Sequence, residues 1–519
     1  MAKRALGGRA RSVRKAAKEG PVAKKVQKKP AGKKPRKQAG VKRASAVAAR
    51  KPGVQRMLDS GAARSGAAAR NGAAQGGQPA AAPKPVAASP CAVDALCGGC
   101  QNVAVPYQQQ LAEKDAYISQ LFTDSLAAGA QVHPTLGMED PYHYRNKVMS
   151  PFAPGKRRAG RGAGTAAAAK GKPRGLDRDV LYGMYQQGTH ALVPNDCCLI
   201  ENAQAKDVIR TVRQLMLRHG IPPYNEDTGA GFMRHCVVRV GHASGEVLVT
   251  LVTNAKEFPS SKQFCRELTK KCPFVTTVVQ NVNVRQTNVV LGQEEHVLYG
   301  PGFILDTLCG LSFRISSQSF YQVNAVQTQV LYETAVKLAG LSGTQTVIDA
   351  YCGTGTIGLV AAKNGAARVI GVESVASAVR DARQNARHNG VENAVFAVAD
   401  AGEFMAALAG GAGVGAGAGA AALDQAAVRA VVEELPEPAE TVLMMDPPRV
   451  GSSESFLQAA CAFGPTRIVY ISCNPETQAR DVAYLCAHGY RLREVQPVDM
   501  FPHTPHVESV ALLSRQAAL

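Results

Sequence analysis

The sequence predicts an α/β protein with a Rossmann-like C-terminal domain, a central antiparallel β-rich domain and a disordered basic N-terminal tail. After residue 310, apolar strands alternate with helical patterns, which is typical of a parallel sheet. Before it, from about residue 131, period-2 runs rich in Val and Thr predict antiparallel strands. A chain of 519 residues suits two or three domains. We predict boundaries at 1–88, 89–310 and 311–519.

The predicted tail is strongly basic. Residues 1–90 hold 23 Lys and Arg against only Glu19 and Asp59, so the rest of the chain is close to neutral. Its Ala, Gly and Pro content buries too little apolar surface to offset the entropy of ordering. A disordered basic arm binds nucleic acid through counterion release. The alternative is a solvated tail that only aids solubility.

Localisation and the role of the cysteines follow from composition. No apolar run reaches the ~18 residues of a membrane span, and the N-terminus lacks the hydrophobic segment of a secretory signal. We therefore expect a cytoplasmic protein without membrane association. In that compartment the 13 cysteines are better explained as metal ligands or nucleophiles than as disulfides.

A cysteine array follows the tail. Cys91, Cys97 and Cys100 form C-x5-C-x2-C, with two glycines that allow a tight turn. Tetrahedral zinc and a cubane iron–sulfur cluster each require four ligands, and VPNDCCLIEN offers Cys197 or Cys198 as the fourth. The spacing alone does not distinguish zinc from iron–sulfur.

The central region contains a helical stretch, VPYQQQLAEKDAYISQLF, and then the β-rich runs VVRVGHASGEVLVTLVTN and TTVVQNVNVRQTNVVLG. Two low-complexity segments interrupt the chain, at 156–175 and 410–424. We predict the first to be a basic loop and the second to be a surface loop without a role in chemistry.

A glycine turn opens the C-terminal domain. The strand TVIDAY runs into CGTGTIG, and the next two strands end at Glu373 and Asp400. Gly353, Gly355 and Gly358 satisfy G-x-G-x-x-G, which fits a nicotinamide dinucleotide as well as S-adenosylmethionine. In both cases the glycines permit close backbone approach, and Glu373 accepts hydrogen bonds from ribose hydroxyls.

Two later strand ends favour methyl transfer to a base. ETVLMMDPPRVG ends in Asp446-Pro447-Pro448-Arg449, and RIVYISCNP carries Cys473 at its tip. Carbon C5 of uracil is a poor nucleophile until a thiolate adds to C6, after which C5 can attack a methyl sulfonium and must then lose its proton. Such chemistry needs a thiol, a carboxylate that holds the base and a general base. Cys473, Asp446 and Glu508 fit these roles.

These motifs closely resemble the RNA uracil-5 methyltransferase family, which makes 5-methyluridine in 23S rRNA or in the tRNA T-loop. The resemblance rests on VIDAYCGTGTIGL, MDPPRVG, YISCNPETQARD and FPHTPHVESVALL, together with the cysteine array. It is dense over about 310–519 and looser over 89–310. It implies a Rossmann-like, S-adenosylmethionine-dependent methyltransferase domain.

The resemblance also implies roles for individual residues. Cys473 is the nucleophile and Glu508 the base that removes the C5 proton. The S-adenosylmethionine contacts fall on Gln322, Tyr351, Thr356, Glu373, Asp400 and Asp446. A [4Fe–4S] cluster falls on Cys91, Cys97, Cys100 and Cys198; Cys198 fits the family pattern better than Cys197, although Glu201 replaces the usual Gln.

The resemblance favours an RNA partner, 23S rRNA ahead of tRNA, and implies no obligate protein partner. The lysine-rich arm stands where many ribosomal members carry a small β-barrel. Two other hypotheses compete. A dinucleotide-dependent oxidoreductase with an iron–sulfur cluster explains the glycines and cysteines but not DPPR or SCNP. A non-catalytic RNA-binding scaffold would tolerate the loss of Cys473.

Overall fold

Two large β-sheets organise the residues that the computed structural model describes, which are 89–158, 176–410 and 436–516. All of these residues fall within one compact unit, 82–519. The predicted disordered tail, and most of both low-complexity segments, lie outside the described residues. Within those ranges, no helix combines the length and apolar character needed to cross a membrane.

The first described elements pack against the C-terminal sheet. They are α1 (Tyr107–Leu121), α2 (Thr123–Ala127) and the short strand β1 (Gln131–Val132). Ile118 and Phe122 are buried in the core of that sheet, and β1 pairs in parallel with its edge strand at Glu494 and Val495. We predicted that residues 89–310 form the central domain, but this first segment buries its apolar side chains on the sheet of the C-terminal domain.

The central sheet has seven strands in the order β4-β3-β2-β5-β6-β7-β8. Its strands are β2 (Lys147–Arg157), β3 (Arg178–Tyr185), β4 (Leu192–Pro194), β5 (Met233–Val240), β6 (Val247–Thr253), β7 (Val275–Val282) and β8 (Glu294–Tyr299). Neighbouring strands are antiparallel except for β6 and β7, which are parallel. The prediction of a purely antiparallel unit is wrong for that pair, because a helix connects the two strands as a crossover.

Two helices, α3 (Ala203–His219) and α4 (Ser261–Lys271), share a core with one face of this sheet. The side chain of Asn202 caps α3 by accepting hydrogen bonds from the backbone N–H groups of Gln204 and Ala205. Val148, Val238 and Val249 belong to the shared core. Because strand side chains alternate between faces, their neighbours point to the other side, toward the C-terminal domain.

The C-terminal part begins with a hairpin and continues as alternating strands and helices. In chain order these are β9 (Phe303–Leu308), β10 (Leu311–Ser316), α5 (Ala325–Ala339), β11 (Thr346–Ala350), α6 (Thr356–Lys363), β12 (Arg368–Glu373), α7 (Ala376–His388), β13 (Ala394–Val398), α8 (Ala401–Leu408), a 3₁₀ turn (Pro438–Glu440), β14 (Thr441–Met445), α9 (Glu454–Phe463), β15 (Arg467–Ser472), α10 (Pro475–Ala487), β16 (Tyr490–Val498) and β17 (Glu508–Arg515).

The resulting sheet has the order β1-β16-β17-β15-β14-β11-β12-β13. Strands β11 to β15 run parallel, and β17 is antiparallel to both of its neighbours. Helices cover both faces. Ile348 and Leu443 enter one core while Val347 and Val442 enter the other, which explains the continuous apolar runs of these strands. The Rossmann-like prediction is confirmed.

Candidate active site

The register of the parallel strands brings three predicted residues to one edge of the sheet. Ala350, at the end of β11, pairs with Met445 of β14 and with Val372 of β12. The residues that follow, Tyr351, Asp446 and Glu373, therefore lie side by side at the carboxyl ends of their strands. This is the edge at which open α/β sheets bind ligands.

The predicted nucleophile and base face each other across an antiparallel pair. Ser472 of β15 pairs with Ser509 of β17, so the same register sets Cys473 opposite Glu508. The turn after the thiol is fixed locally, because the Ser472 hydroxyl accepts the Asn474 N–H (3.1 Å) and the Asn474 amide donates to the Arg449 carbonyl (2.9 Å). The strand thus ends at the thiol, beside the DPPR turn.

One large cavity joins these residues. It has a volume of about 1290 Å³, which exceeds the ~300–1,000 Å³ of a typical small-molecule site and leaves room for a cofactor and a nucleotide together. The predicted residues that line it are Gln322, Tyr351, Glu373, Asp446, Cys473, Glu508, Cys91, Cys97, Cys100 and Cys198.

Two predicted cofactor residues lie elsewhere. Thr356 lines a neighbouring cavity of about 60 Å³ that it shares with Gln322 and Tyr351. Asp400 is absent from both cavity walls and caps α8, accepting the N–H groups of Gly402 (2.8 Å) and Glu403 (3.1 Å). Its charge is nevertheless close enough to Tyr351 to raise the pKa of that phenol, after the larger effect of burial.

The glycine turn is shaped by close contacts. Gly355 has φ of +78°, and a Cβ there would lie 2.7 Å from the Phe396 ring. The Gly353 N–H donates to the Glu373 carboxylate (3.2 Å), which ties the turn to the next strand end. Tyr351 itself has φ of +64°, a conformation that is costly for a residue with a side chain and that typically occurs at functional sites.

Burial perturbs the two carboxylates of the site. Glu508 is only 4% exposed, and burial followed by the charge of Asp446 raises its pKa to about 8. Burial alone raises the pKa of Asp446 to about 7. Two carboxyl groups in one cleft with pKa values this far above normal are typical of acid–base chemistry.

The thiol of Cys473 responds to the same surroundings. Burial, and then the negative charges of Glu508 and Asp446, raise its pKa, while the guanidinium of Arg449 lowers it. Protonation of either carboxyl group would therefore favour the thiolate, which is the nucleophilic form. The DPPR arginine has an evident electrostatic role beside the thiol.

The segment before Glu508 is anchored by the N-terminal elements. The backbone carbonyl of His503 accepts the N–H groups of Gln101 (3.1 Å) and Asn102 (3.0 Å), just after the cysteine array. A buried ion pair joins Lys114 of α1 to Asp499 at 2.6 Å. The packing of α1 on this domain thus fixes the approach to β17.

The cysteines of the array line the same cavity as the catalytic candidates. Gly98 approaches the β3 strand closely, and its N–H donates to the Tyr185 carbonyl (3.1 Å). Burial and the neighbouring thiols of Cys198, Cys97 and Cys91 raise the pKa of Cys100 to about 12. In contrast, Cys197 is exposed.

Within the described ranges, no three His, Cys, Asp or Glu side chains form a group that could hold a single metal ion. A tetrahedral zinc site is therefore not preformed here. Cys91, Cys97, Cys100 and Cys198 nevertheless line one cavity, Cys198 buried and the other three half-buried.

Sequence reasoning missed several residues of the cavity wall. Phe320 is 73% exposed, and Arg145, Lys147 and His506 also line the cavity. The signal for Phe320 was its position two residues before Gln322 in SFYQVN. Arg145 and Lys147 stand in the basic run YRNK at the start of a strand, which is a weak signal for a binding residue. The cavity that they face forms only when the two sheets pack together, so the sequence alone does not show it.

Comparisons with known proteins agree with this geometry. The sequence profile of the family described as tRNA (Uracil-5-)-methyltransferase matches residues 307–516. An uncharacterized RNA methyltransferase of Halalkalibacterium halodurans is 39% identical over 426 residues, covering 82% of this chain and 83% of the relative. One from Staphylococcus aureus is 37% identical over 428 residues, covering 82% and 84%.

A solved structure agrees as well. The Pyrococcus abyssi tRNA (uracil-54, C5)-methyltransferase, in complex with S-adenosyl-L-homocysteine, superposes with a TM-score of 0.59 at 25% identity, covering 80% of this chain and 86% of that one. The two relatives and the solved structure each match about four fifths of this chain. The protein is therefore an RNA methyltransferase and belongs to the RNA uracil-5-methyltransferase family.

Proposed function

We propose that the protein methylates C5 of a uridine in RNA, with S-adenosylmethionine as methyl donor, through a covalent bond between Cys473 and C6 of the uracil. The observation that carries this proposal is that Cys473 and Glu508, which adjoin the Ser472–Ser509 pair of β15 and β17, line one cavity together with Asp446 and Glu373. Neither an oxidoreductase nor a binding scaffold has a use for that pair.

The methyl donor fits the part of the cavity next to the glycine turn. Glu373 follows the second strand, where a carboxylate accepts from ribose hydroxyls, and Gln322, Tyr351 and Asp446 line the same wall. We assign these four residues to the cofactor, with Thr356 from the adjoining small cavity. Asp400 stays a prediction that rests on its strand-end position.

The proposed chemistry uses three side chains. The Cys473 thiolate adds to C6, so that electron density moves to C5. S-adenosylmethionine supplies the methyl group that C5 then takes. Glu508 accepts the C5 proton, the electrons of that bond restore the C5–C6 double bond, and the thiolate leaves C6. Asp446, between cofactor and nucleophile, holds the base through hydrogen bonds.

The environment of Glu508 suits this role. A general base works best when its pKa lies near the operating pH, and burial beside Asp446 raises that of Glu508 to about 8. An ordinary glutamate would be ionised more fully but would bind the C5 proton far more weakly. The cavity therefore turns a weak base into a useful one.

We propose 23S rRNA as the substrate because the cysteine array is typical of the ribosomal branch of the family. The description of the matching profile and the solved relative both name tRNA, which makes tRNA the second candidate. Both RNAs contain loops whose unpaired uridines an enzyme can reach. The exposed ring of Phe320 at the cavity wall suits stacking on such an unpaired base.

We further propose that Cys91, Cys97, Cys100 and Cys198 hold a [4Fe–4S] cluster. The support is that all four line the same cavity, that the charges of Cys198, Cys97 and Cys91 act on Cys100, and that Cys198 is buried whereas Cys197 is exposed. Such a cluster would supply a rigid crosslink between the N-terminal loop and the central sheet. We assign it no step in methyl transfer.

The domain roles are also proposals. Lys147, Val148, Met149 and Met184 of the central sheet, which lies within 89–310, line the same cavity as Cys473, which supports an RNA-binding role for this region. We propose that the basic tail adds non-specific RNA affinity and that the enzyme works in the cytoplasm without an obligate protein partner.

Mass spectrometry of RNA from cells with and without this gene tests the proposed function. Loss of 5-methyluridine from one 23S rRNA position is the expected result, and complementation with Cys473→Ala should not restore it. Loss from tRNA instead would select the second candidate. An unchanged 5-methyluridine content in both RNAs would contradict the proposal.

A further inference from the structure

The central sheet turns a pair of like charges toward the active-site cavity. Lys147 of β2 pairs directly with Arg239 of β5. Residues directly opposite on antiparallel strands have Cβ atoms about 4.5–5.5 Å apart on the same face, where like charges repel. Lys147 lines the cavity, and Arg239 is buried behind it. The sheet therefore holds two cations that repel each other, and one of them, Lys147, faces the active-site cavity.

No carboxylate in the described part of the chain forms an ion pair with either cation. Arg239 donates to the carbonyls of Ser317 and Ser319, while its buried Nε has no partner. Burial, and then the charges of Arg239 and Arg145, lower the pKa of Lys147 to about 8. Buried charge of one sign without a counter-ion is costly unless a ligand supplies the opposite charge.

The cations also lie next to the proposed catalytic machinery. The backbone N–H of Asn146 donates to the Val323 carbonyl (2.8 Å), and its side-chain amide donates to the Gln322 carbonyl (3.2 Å). Lys147 therefore follows directly after Asn146, which contacts the loop of Gln322 that we assign to the cofactor. An anion bound at Lys147 would lie on the wall of the same cavity that contains Cys473 and Glu508.

We propose that Lys147 and Arg145, which line the cavity, form a binding site for a backbone phosphodiester of the RNA next to the target uridine, and that the buried charge of Arg239 behind Lys147 strengthens it. This inference rests on the proposed function and adds to it the group that orients the backbone. When a base is extruded from a loop, the enzyme must also hold the phosphates on either side of that nucleotide. Contacts with phosphates fix the position of the RNA on the protein without depending on its sequence.

Lys147→Met tests the site, because methionine keeps the length of the stem and removes the charge. The probe is a fluorescein-labelled single-stranded 12-nucleotide RNA with one uridine, titrated with the full chain at several salt concentrations. We expect the Kd to rise roughly tenfold, the typical loss of one charge-assisted hydrogen bond. We also expect the slope of log K against log salt to become less negative by about 0.7, the value for one contact with a single strand.

Three controls separate this role from others. Lys147→Arg should largely restore affinity. Lys262→Met removes an exposed lysine from α4, on the opposite face of the central sheet, and should change the Kd less than twofold. Because the like-charge pair is repulsive, Lys147→Met should leave the Tm unchanged or raise it, whereas a lysine with a purely structural role would lower the Tm when removed.

Backbone chemistry identifies the ligand. RNAs are made in which a neutral methylphosphonate replaces one phosphodiester at a time around the uridine. At the linkage that Lys147 contacts, this replacement should weaken RNA binding by the wild type. It should not further weaken RNA binding by Lys147→Met. Full affinity of Lys147→Met for RNA, or a loss of S-adenosylmethionine affinity in its place, would overturn the inference while leaving the proposed function intact. RNA binding that depends on Lys147 without formation of 5-methyluridine would contradict the proposed function alone.

Discussion

Glu508→Gln should stabilise the fold at neutral and alkaline pH while it stops turnover. In the folded protein the pKa of Glu508 is raised from an ordinary 4.5 to about 8, because the carboxyl group is buried beside Asp446. Between these two values the folded state holds a proton that the unfolded state has lost. The stability of the wild type must therefore fall as the pH rises through this window.

The size of the effect follows from the same values. At about 1.4 kcal/mol per pKa unit, the difference between 4.5 and about 8 corresponds to an upper limit of about 5 kcal/mol, reached above pH 8. The amide of Gln carries no charge at any pH. The gap in stability between Glu508→Gln and wild type should thus be small near pH 4.5 and should widen steadily up to pH 8.

Thermal unfolding of both proteins from pH 5 to pH 9 measures this gap. The matched control, Glu392→Gln, removes an exposed carboxylate and should show no such widening. In parallel, Glu508→Gln should accumulate methylated RNA that is still bound to the enzyme, because the C5 proton stays in place. A gap that stays constant with pH, or release of methylated RNA at the normal rate, would refute the reasoning.

Three further predictions concern the cluster, the anchor of the catalytic segment and the glycine turn. Cys198→Ser should lower the iron content of anaerobically purified protein and Cys197→Ser should not; equal losses would reverse the ligand assignment. Lys114→Met leaves the buried carboxylate of Asp499 without its cation and with only the Tyr107 hydroxyl as a side-chain partner, and should cost about 3 kcal/mol in chemical unfolding, a prediction that fails if the unfolding midpoint does not move. Gly355→Ala forces a side chain into a crowded left-handed turn and should weaken S-adenosylmethionine binding in calorimetry, so an unchanged Kd would exclude a role for this turn.

Much of the C-terminal domain could be predicted because its signals are local. Each parallel strand is an apolar run that ends in a polar residue, and parallel strands end at one edge. This pattern predicts that Glu373, Asp446 and Cys473 share one edge of the sheet, whereas Tyr351 was assigned from the resemblance to the family. Glu508 begins an antiparallel strand, so the strand-end pattern does not locate it. It was named because the chemistry requires a general base, and the resemblance implies the same role.

What escaped prediction depends on contacts between distant segments. The parallel pairing of β6 and β7 follows from the crossover by α4, and period-2 alternation is the same in parallel and antiparallel strands. The packing of Ile118 and Phe122 on the C-terminal sheet required knowledge of which face of that sheet was free. Nothing in the sequence around Lys147 indicates that its partner across the sheet is Arg239.

Asp400 illustrates a different limit. A polar residue at a strand end fits a cofactor contact and a helix cap equally well, and here its carboxylate accepts two N–H groups at the start of α8. The sequence could not separate the two uses, since both require an acceptor at that position. Its contact with the cofactor stays a prediction.

The most direct test of the proposed mechanism is covalent trapping. Wild-type enzyme incubated with S-adenosylmethionine and RNA that contains 5-fluorouridine should form a complex stable to denaturing electrophoresis, because fluorine cannot leave C5 as a proton. Peptide mapping should locate the crosslink on Cys473, and Cys486→Ser, a half-buried cysteine of α10, should form the complex normally. Cys473→Ser should form none, and a stable complex with that variant would contradict the central claim.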